Sequence, residues 1–264
     1  MAGRKNLLFM LSIIAIAIFL FGCAKTQDTE RQQATSDDQQ PQYQQTQSAE
    51  VNDMAQKNIE GVNMEWFGQS GFLLKNDKTI YIDPFKISGS EKADIILITH
   101  EHSDHCSIED IKKIIKPETI IVTVPDCQSK LSGMEIANVT LVKPGNRLNI
   151  KGTLIETVPA YNLNKKFHPK ENEWVGYIIT INGKRIYHAG DTDYIPEMKN
   201  LKNIDIAMVP VSGTYVMSPS EAAMAVNDFR PKVAIPMHYG GIIGTKEDAE
   251  KFRSLAKVNV EIMG

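Results

Sequence analysis

The chain has 264 residues, with 29 basic side chains against 32 acidic ones and a net charge of −3. That balance gives no bulk attraction to nucleic acid or to anionic lipid. Three cysteines provide no disulfide framework.

Arg4 and Lys5 precede an apolar run over residues 7–21, broken only by Ser12 and followed by Gly22 and Cys23. A positive start, an apolar stretch and a small residue just before a cysteine resemble a bacterial lipoprotein signal. Residues 1–22 are then a signal peptide, and cleavage leaves Cys23 lipid-modified, with palmitate among its acyl groups. An uncleaved anchor is the alternative, although the run falls short of the ~20 residues that span a bilayer. Either reading puts the chain outside the cytosol, tethered to a membrane. Residues 23–57 follow as a tether rich in Gln, Thr, Ser and Asp, which bury too little apolar surface to offset chain entropy. A folded domain is expected over 58–264, roughly 205 residues, enough for one sizeable core. Cys106 and Cys127, the cysteines left in it, are expected as free, mostly buried thiols.

Short strands dominate its first half: VNMEWFG, GFLLKN, TIYIDP and ADIILIT. A helix is predicted at SIEDIKKIIK, a strand at TIIVTV, a short helix at residues 126–131, and strands at VTLV, RLNI and TLIETVPA. The second half gives WVGYIITI, a turn at Asn182-Gly183, then KRIYHAG, a hairpin signal. IDIAMVPV follows as a buried strand. SPSEAAMAVNDF opens with Ser218 as N-cap, Pro219 in the first turn and Glu221 completing a capping box. KVAIPMH, a helix opened by Thr245, and a last strand VNVEIM end the chain. Two halves that each pass from strands into helix–strand units imply two packed sheets with helices outside, an α/β fold. Gly240-Gly241 lacks a phosphate-loop pattern.

Three of the six histidines stand in ITHEHSDHCS, residues 98–107. Alternate residues of an extended loop point the same way, so His100 and His102 can grip one metal. Asp104 and His105 sit on the following turn, facing a second. Imidazole and carboxylate suit zinc, while carboxylates also admit manganese or iron. Asp191, in HAGDTD, and His238, in PMHYG, arrive at the ends of later strands. Singly they read as a turn aspartate and a strand-end histidine. Together with the loop they complete two coordination shells, Asp191 bridging ions about 3.5–4 Å apart. Asp193 takes the plainer turn role.

The order His-x-His-x-Asp-His, then Gly-Asp-Thr, then a C-terminal histidine resembles the metallo-β-lactamase superfamily. WFGQSGFLL, YIDP, YHAGDTDYIPEM and PMHYG look most like the branch of ascorbate-6-phosphate lactonase and N-acyl-phosphatidylethanolamine phospholipase D. The resemblance spans the chain after the tether and implies an αββα four-layer sandwich, with two divalent ions, zinc first, at one edge. It adds His168, in KKFHPK, as a further ligand, and marks Gln69 as a departure where related sequences often carry histidine. The implied activity is hydrolysis of a lactone, ester or phosphodiester by a metal-bridging hydroxide, with Asp104 both ligating and accepting its proton. His188, Tyr161 and Tyr239 are candidate donors to the substrate or supports of the ligands. Lys165, Lys166 and Lys170 read as a solvated loop or as an attraction for an anionic substrate. A non-catalytic metal- or ligand-binding lipoprotein of the same fold is the alternative. A β-lactamase is disfavoured because those enzymes generally lack the bridging aspartate, and a nuclease because its inserted domain has no room here.

Overall fold

The computed structural model describes residues 56–89, 91–134 and 138–264. The signal peptide, Cys23 and most of the tether lie outside the described residues. Among the described residues, no helix is long and apolar enough to cross a membrane.

The first sheet runs in chain order: β1 (Gln56–Ile59), β2 (Val62–Trp66), β3 (Phe72–Lys75), β4 (Thr79–Ile82), β5 (Ile95–Leu97), β6 (Ile120–Thr123) and β7 (Asn138–Leu141). Its first four strands pair antiparallel; from β4 onward the pairs are parallel. Helices α1 (Ile108–Ile114) and α2 (Pro125–Leu131) make the crossovers after β5 and β6. The second sheet repeats the scheme with β8 (Arg147–Ile150), β9 (Thr153–Pro159), β10 (Val175–Ile181), β11 (Lys184–His188), β12 (Ile206–Pro210), β13 (Val233–Met237) and β14 (Asn259–Val260). Here α3 (Pro219–Phe229) and α4 (Lys246–Leu255) are the crossovers. The result is the two-sheet αββα sandwich with one continuous apolar core.

Residue pattern explains the division within each sheet. β2 and β9 alternate buried and more exposed positions, as antiparallel strands with one covered face do, whereas all of β12 and β13 is buried. Pro236 sits in β13 without breaking it, because the two-residue β14 reaches only Val233 and Ala234. VNVEIM is therefore far shorter as a strand than expected, and β1 begins two residues before residue 58. The capping box of α3 is formed: Glu221 N–H donates to Ser218 Oγ at 3.3 Å, and Ser218 N–H donates to Glu221 Oε2 at 2.8 Å. α1 ends earlier than SIEDIKKIIK suggests, since Pro117 disfavours helical backbone at Lys116. Cys106 and Cys127 are free and buried.

Tyr177, fully buried on β10, ties the sheets together at the site's edge. Its hydroxyl lies 2.8 Å from the Ile98 carbonyl and 3.0 Å from that of Val122. Tyr177→Phe should lower unfolding free energy by about 1–3 kcal/mol, since buried carbonyls lose their donor. Urea denaturation would read the loss, and an unchanged midpoint would contradict this role.

Candidate metal centre

Strand ends from both sheets deliver the site. The loop leaving β5 carries His100, His102, Asp104 and His105. The segment after β9 carries His168, while Asp191 and His238 follow β11 and β13. His168 and His238 both adopt left-handed backbone, φ 53° and 61°, which turns the chain sharply at each histidine.

These seven side chains converge. His100, His102 and His168 form one group whose nitrogens lie within 4.8 Å of one another, and Asp104, His105 and His238 form another. Asp191 joins them: its Oδ2 is 3.4 Å from His168 Nε2 and 3.1 Å from His238 Nε2, and its Oδ1 is 3.4 Å from His105 Nε2. Sequence reading placed every one of these residues in the site, and the fold brings all of them together, His168 included.

The donor set fits divalent cations. His105 Nε2, His168 Nε2 and Asp191 Oδ1 are buried and, among the described residues, have no hydrogen-bond partner. Stranding three such atoms together is costly, and neutral imidazole with carboxylate is the chemistry that ligates zinc-like ions. The opposite ring nitrogens are anchored. Asp83 Oδ2 lies 2.7 Å from His105 Nδ1, Thr99 Oγ1 3.0 Å from His100 Nδ1, and Ser212 Oγ 2.9 Å from His238 Nδ1. Tyr215 O and Asn162 Nδ2 both lie 3.2 Å from His168 Nδ1, which turns Nε2 towards Asp191. Such partners orient metal-binding imidazoles.

Charge states agree with this. Burial lowers His168 to about 4, and burial, then the charge of His105, holds His100 well below the usual histidine range. Burial opposes a charge on His105 too, but the carboxylates of Asp191 and Asp83 outweigh it and raise its pKa well above that range. Burial would raise Asp191, yet His238 and His105 pull it far below the ordinary carboxylate value. The pocket thus stabilises positive charge between His105 and Asp191, a place a proton or a metal ion can fill.

Close packing positions Asp191. A Cβ on Gly176 would stand 2.7 Å from His188 O and 2.8 Å from Ala189 O, so only glycine lets β10 approach the turn entering Asp191. His188 Nε2–H donates to Ser70 O at 2.9 Å, and Gly190 N–H donates to His188 Nδ1 at 3.2 Å. His188 is therefore a buried stitch for this turn, with both nitrogens occupied away from substrate. Tyr161 supports the turn through its backbone carbonyl, which accepts from Asp193 N–H at 3.0 Å and from Thr192 Oγ1 at 2.9 Å. Its hydroxyl bonds Glu197 instead of reaching the cleft. Tyr239 likewise donates to Met263 O at 2.8 Å and stacks by Trp66. None of the three lines the cleft, so these contacts fit the supporting role expected for them and not that of substrate donor. Lys165 pairs with Asp193, and Lys170 with Glu197 at 3.1 Å.

Asp83 was given no role on sequence grounds, and Gln69 entered only as a departure from related sequences. Asp83 accepts from Thr99 N–H at 2.8 Å and from Thr99 Oγ1 at 2.7 Å besides holding His105. Its only signal was an acid at the end of an apolar strand, in YIDP. Gln69 Nε2 donates to Asp104 Oδ2 at 3.0 Å, and Tyr215 both anchors His168 and lines the cleft.

Residues 63–238 match the family described as the beta-lactamase superfamily domain. The chain belongs to the metallo-β-lactamase superfamily. It is 32% identical over 209 residues to a UPF0173 metal-dependent hydrolase of Thermoplasma acidophilum, covering 75% of this chain and 92% of the relative. A crystal structure assigned as a metal-dependent hydrolase, from Parabacteroides distasonis, is 34% identical with a TM-score of 0.70, covering 79% of this chain and 96% of that one. Igni18, a metallo hydrolase of Ignicoccus hospitalis, is 28% identical with a TM-score of 0.61, covering 77% and 96%. This chain is a metal-dependent hydrolase of that superfamily.

Asp83→Asn removes a charge and one acceptor behind His105 and Thr99. Metal affinity should fall about 10- to 100-fold, measured by competition with a chromogenic chelator. Affinity equal to that of the parent chain would refute the anchoring role.

Proposed function

We propose that this hydrolase opens a lactone, ester or phosphodiester at a site holding two divalent ions. His100, His102 and His168 would hold one ion, and Asp104, His105 and His238 the other, with Asp191 shared. Zinc suits so nitrogen-rich a set best, with manganese or iron as substitutes. The observation that carries the reading is Asp191, whose carboxylate lies within 3.4 Å of a histidine from each group. When bound, the ions lower the pKa of a water towards ~7 and polarise the oxygen of the group under attack.

The chain's own residues supply position and proton transfer. Asp104 is less buried than Asp191 and faces the cleft, so it can take the proton that the attacking water loses. Gln69 Nε2 holds Asp104 Oδ2, the oxygen that lies 3.6 Å from His105 Nε2. Trp174 closes the back: its ring centroid lies 4.7 Å from that of His100 and 5.0 Å from that of His102, and its Nε1–H donates to Asp126 at 2.9 Å. An indole there excludes water behind the first ligand group. Export and lipid attachment at Cys23 belong to the same proposal and would place this hydrolysis at a membrane surface outside the cytosol.

Asp191→Asn keeps the shape of the turn and removes its charge. The variant should lose about a thousandfold in kcat/KM on an activated ester or phosphodiester, several kcal/mol of transition-state stabilisation. A variant that kept its turnover and its metal would overturn the shared-carboxylate site.

A further inference from the structure

The cleft above the ligand groups has a volume of about 350 Å³, and its walls divide by chemistry. The floor is made of the cluster's imidazoles and carboxylates with Gln69. The mouth is Phe167, Tyr215, Ile242 and Ile243, with the exposed Ser103 on the side of the histidine loop. Phe167 is 45% exposed and Ile242 is 55% exposed, so apolar surface stands in water at the opening of the site. Phe167 does not hang free: its ring meets that of Tyr215 edge to face, centroids 4.6 Å apart at 85°. Tyr215 in turn holds His168 through its carbonyl, so this apolar wall is fixed to the ligand set.

Charge points the same way. Among the described residues, no lysine or arginine lines the cleft. Lys165 is held by Asp193 and by Val216 O at 2.8 Å, and Lys170 by Glu197 and the Tyr161 hydroxyl, both at 3.1 Å. Lys166 is exposed on the same loop and is not part of the lining. Beyond the ions at the floor, which meet the group under attack, an anionic arm would find no side-chain cation in the cleft to replace its lost hydration.

We infer that the substrate is a neutral lactone or ester whose acyl or aryl arm lies against Phe167, Tyr215, Ile242 and Ile243, an inference that rests on the hydrolase reading above. In the reaction water adds to the carbonyl carbon and the acyl C–O bond breaks. One water proton ends on the departing alkoxide and the other leaves the new carboxylic acid for solvent, so atoms and charge balance without a further reactant.

The test compares 4-nitrophenyl acetate, butyrate and hexanoate with 4-nitrophenyl phosphate and bis(4-nitrophenyl) phosphate on the metal-loaded full chain. From acetate to hexanoate kcat/KM should rise about tenfold or more, given the value of a buried methylene, and the phosphate esters should be the poorer substrates. Phe167→Ala, a change at a partly exposed position, should flatten the chain-length dependence. Binding without turnover is a separate readout: saturation-transfer NMR should detect 2-octanone but not acetone, with the signal reduced in Phe167→Ala. Turnover that ignores chain length, or that favours the phosphate esters, would overturn the inference while leaving the hydrolase intact. No turnover of any ester with metal bound would overturn the proposed reaction and this inference with it.

Discussion

Everything at the catalytic edge depends on one buried carboxylate. Asp191 is only 4% exposed and lies between three imidazoles at 3.1–3.4 Å. A charge so placed must be compensated, and the compensation comes from both halves of the chain. His105 belongs to the first sheet's loop, and His168 and His238 to the second sheet. The site therefore exists only once the two sheets have packed. Tyr177 shows how closely packing and site are joined, because the carbonyl it reaches, Ile98, lies two residues before His100. Gly176, its neighbour, gives way at the position where a Cβ would push the Asp191 turn out of place.

The candidate ligands other than His168, which only the family resemblance supplied, were legible because metal chemistry needs rare residues at tight spacing. ITHEHSDHCS concentrates them, and Asp191 and His238 stand just where buried strands end. The two-sheet architecture was legible in the same way, from strand runs that twice give way to helix–strand units. What surrounds the ligands was not. Asp83 reaches His105 across 22 residues and Ser70 reaches His188 across 118, and no local pattern links such pairs. Tyr161 and Tyr239 carry hydroxyls fit for catalysis, but their directions are set by Glu197 and Met263, which are distant in sequence. The lysines around His168 resemble an anion trap only until Asp193 and Glu197 are seen to hold Lys165 and Lys170. Strand ends were also blurred: β1 lies in polar sequence, and β14 is cut to two residues although VNVEIM alternates well.

A division of labour follows. Polar chemistry is confined to a floor whose imidazoles are held by Asp83, Thr99, Ser212 and Tyr215, while the walls above are aromatic and aliphatic. Under the substrate inference selectivity lies with Phe167, Tyr215, Ile242 and Ile243, which stand on loops outside the strands. Tyr215 couples the two levels, anchoring His168 below and bracing Phe167 above.

The central claim is that Asp191 joins two metal positions. Its most direct test is the metal content of the full chain, purified without chelators and loaded with zinc, measured per chain by elemental mass spectrometry. The account predicts two equivalents. A single equivalent that does not rise with added zinc or manganese, or none, would contradict it.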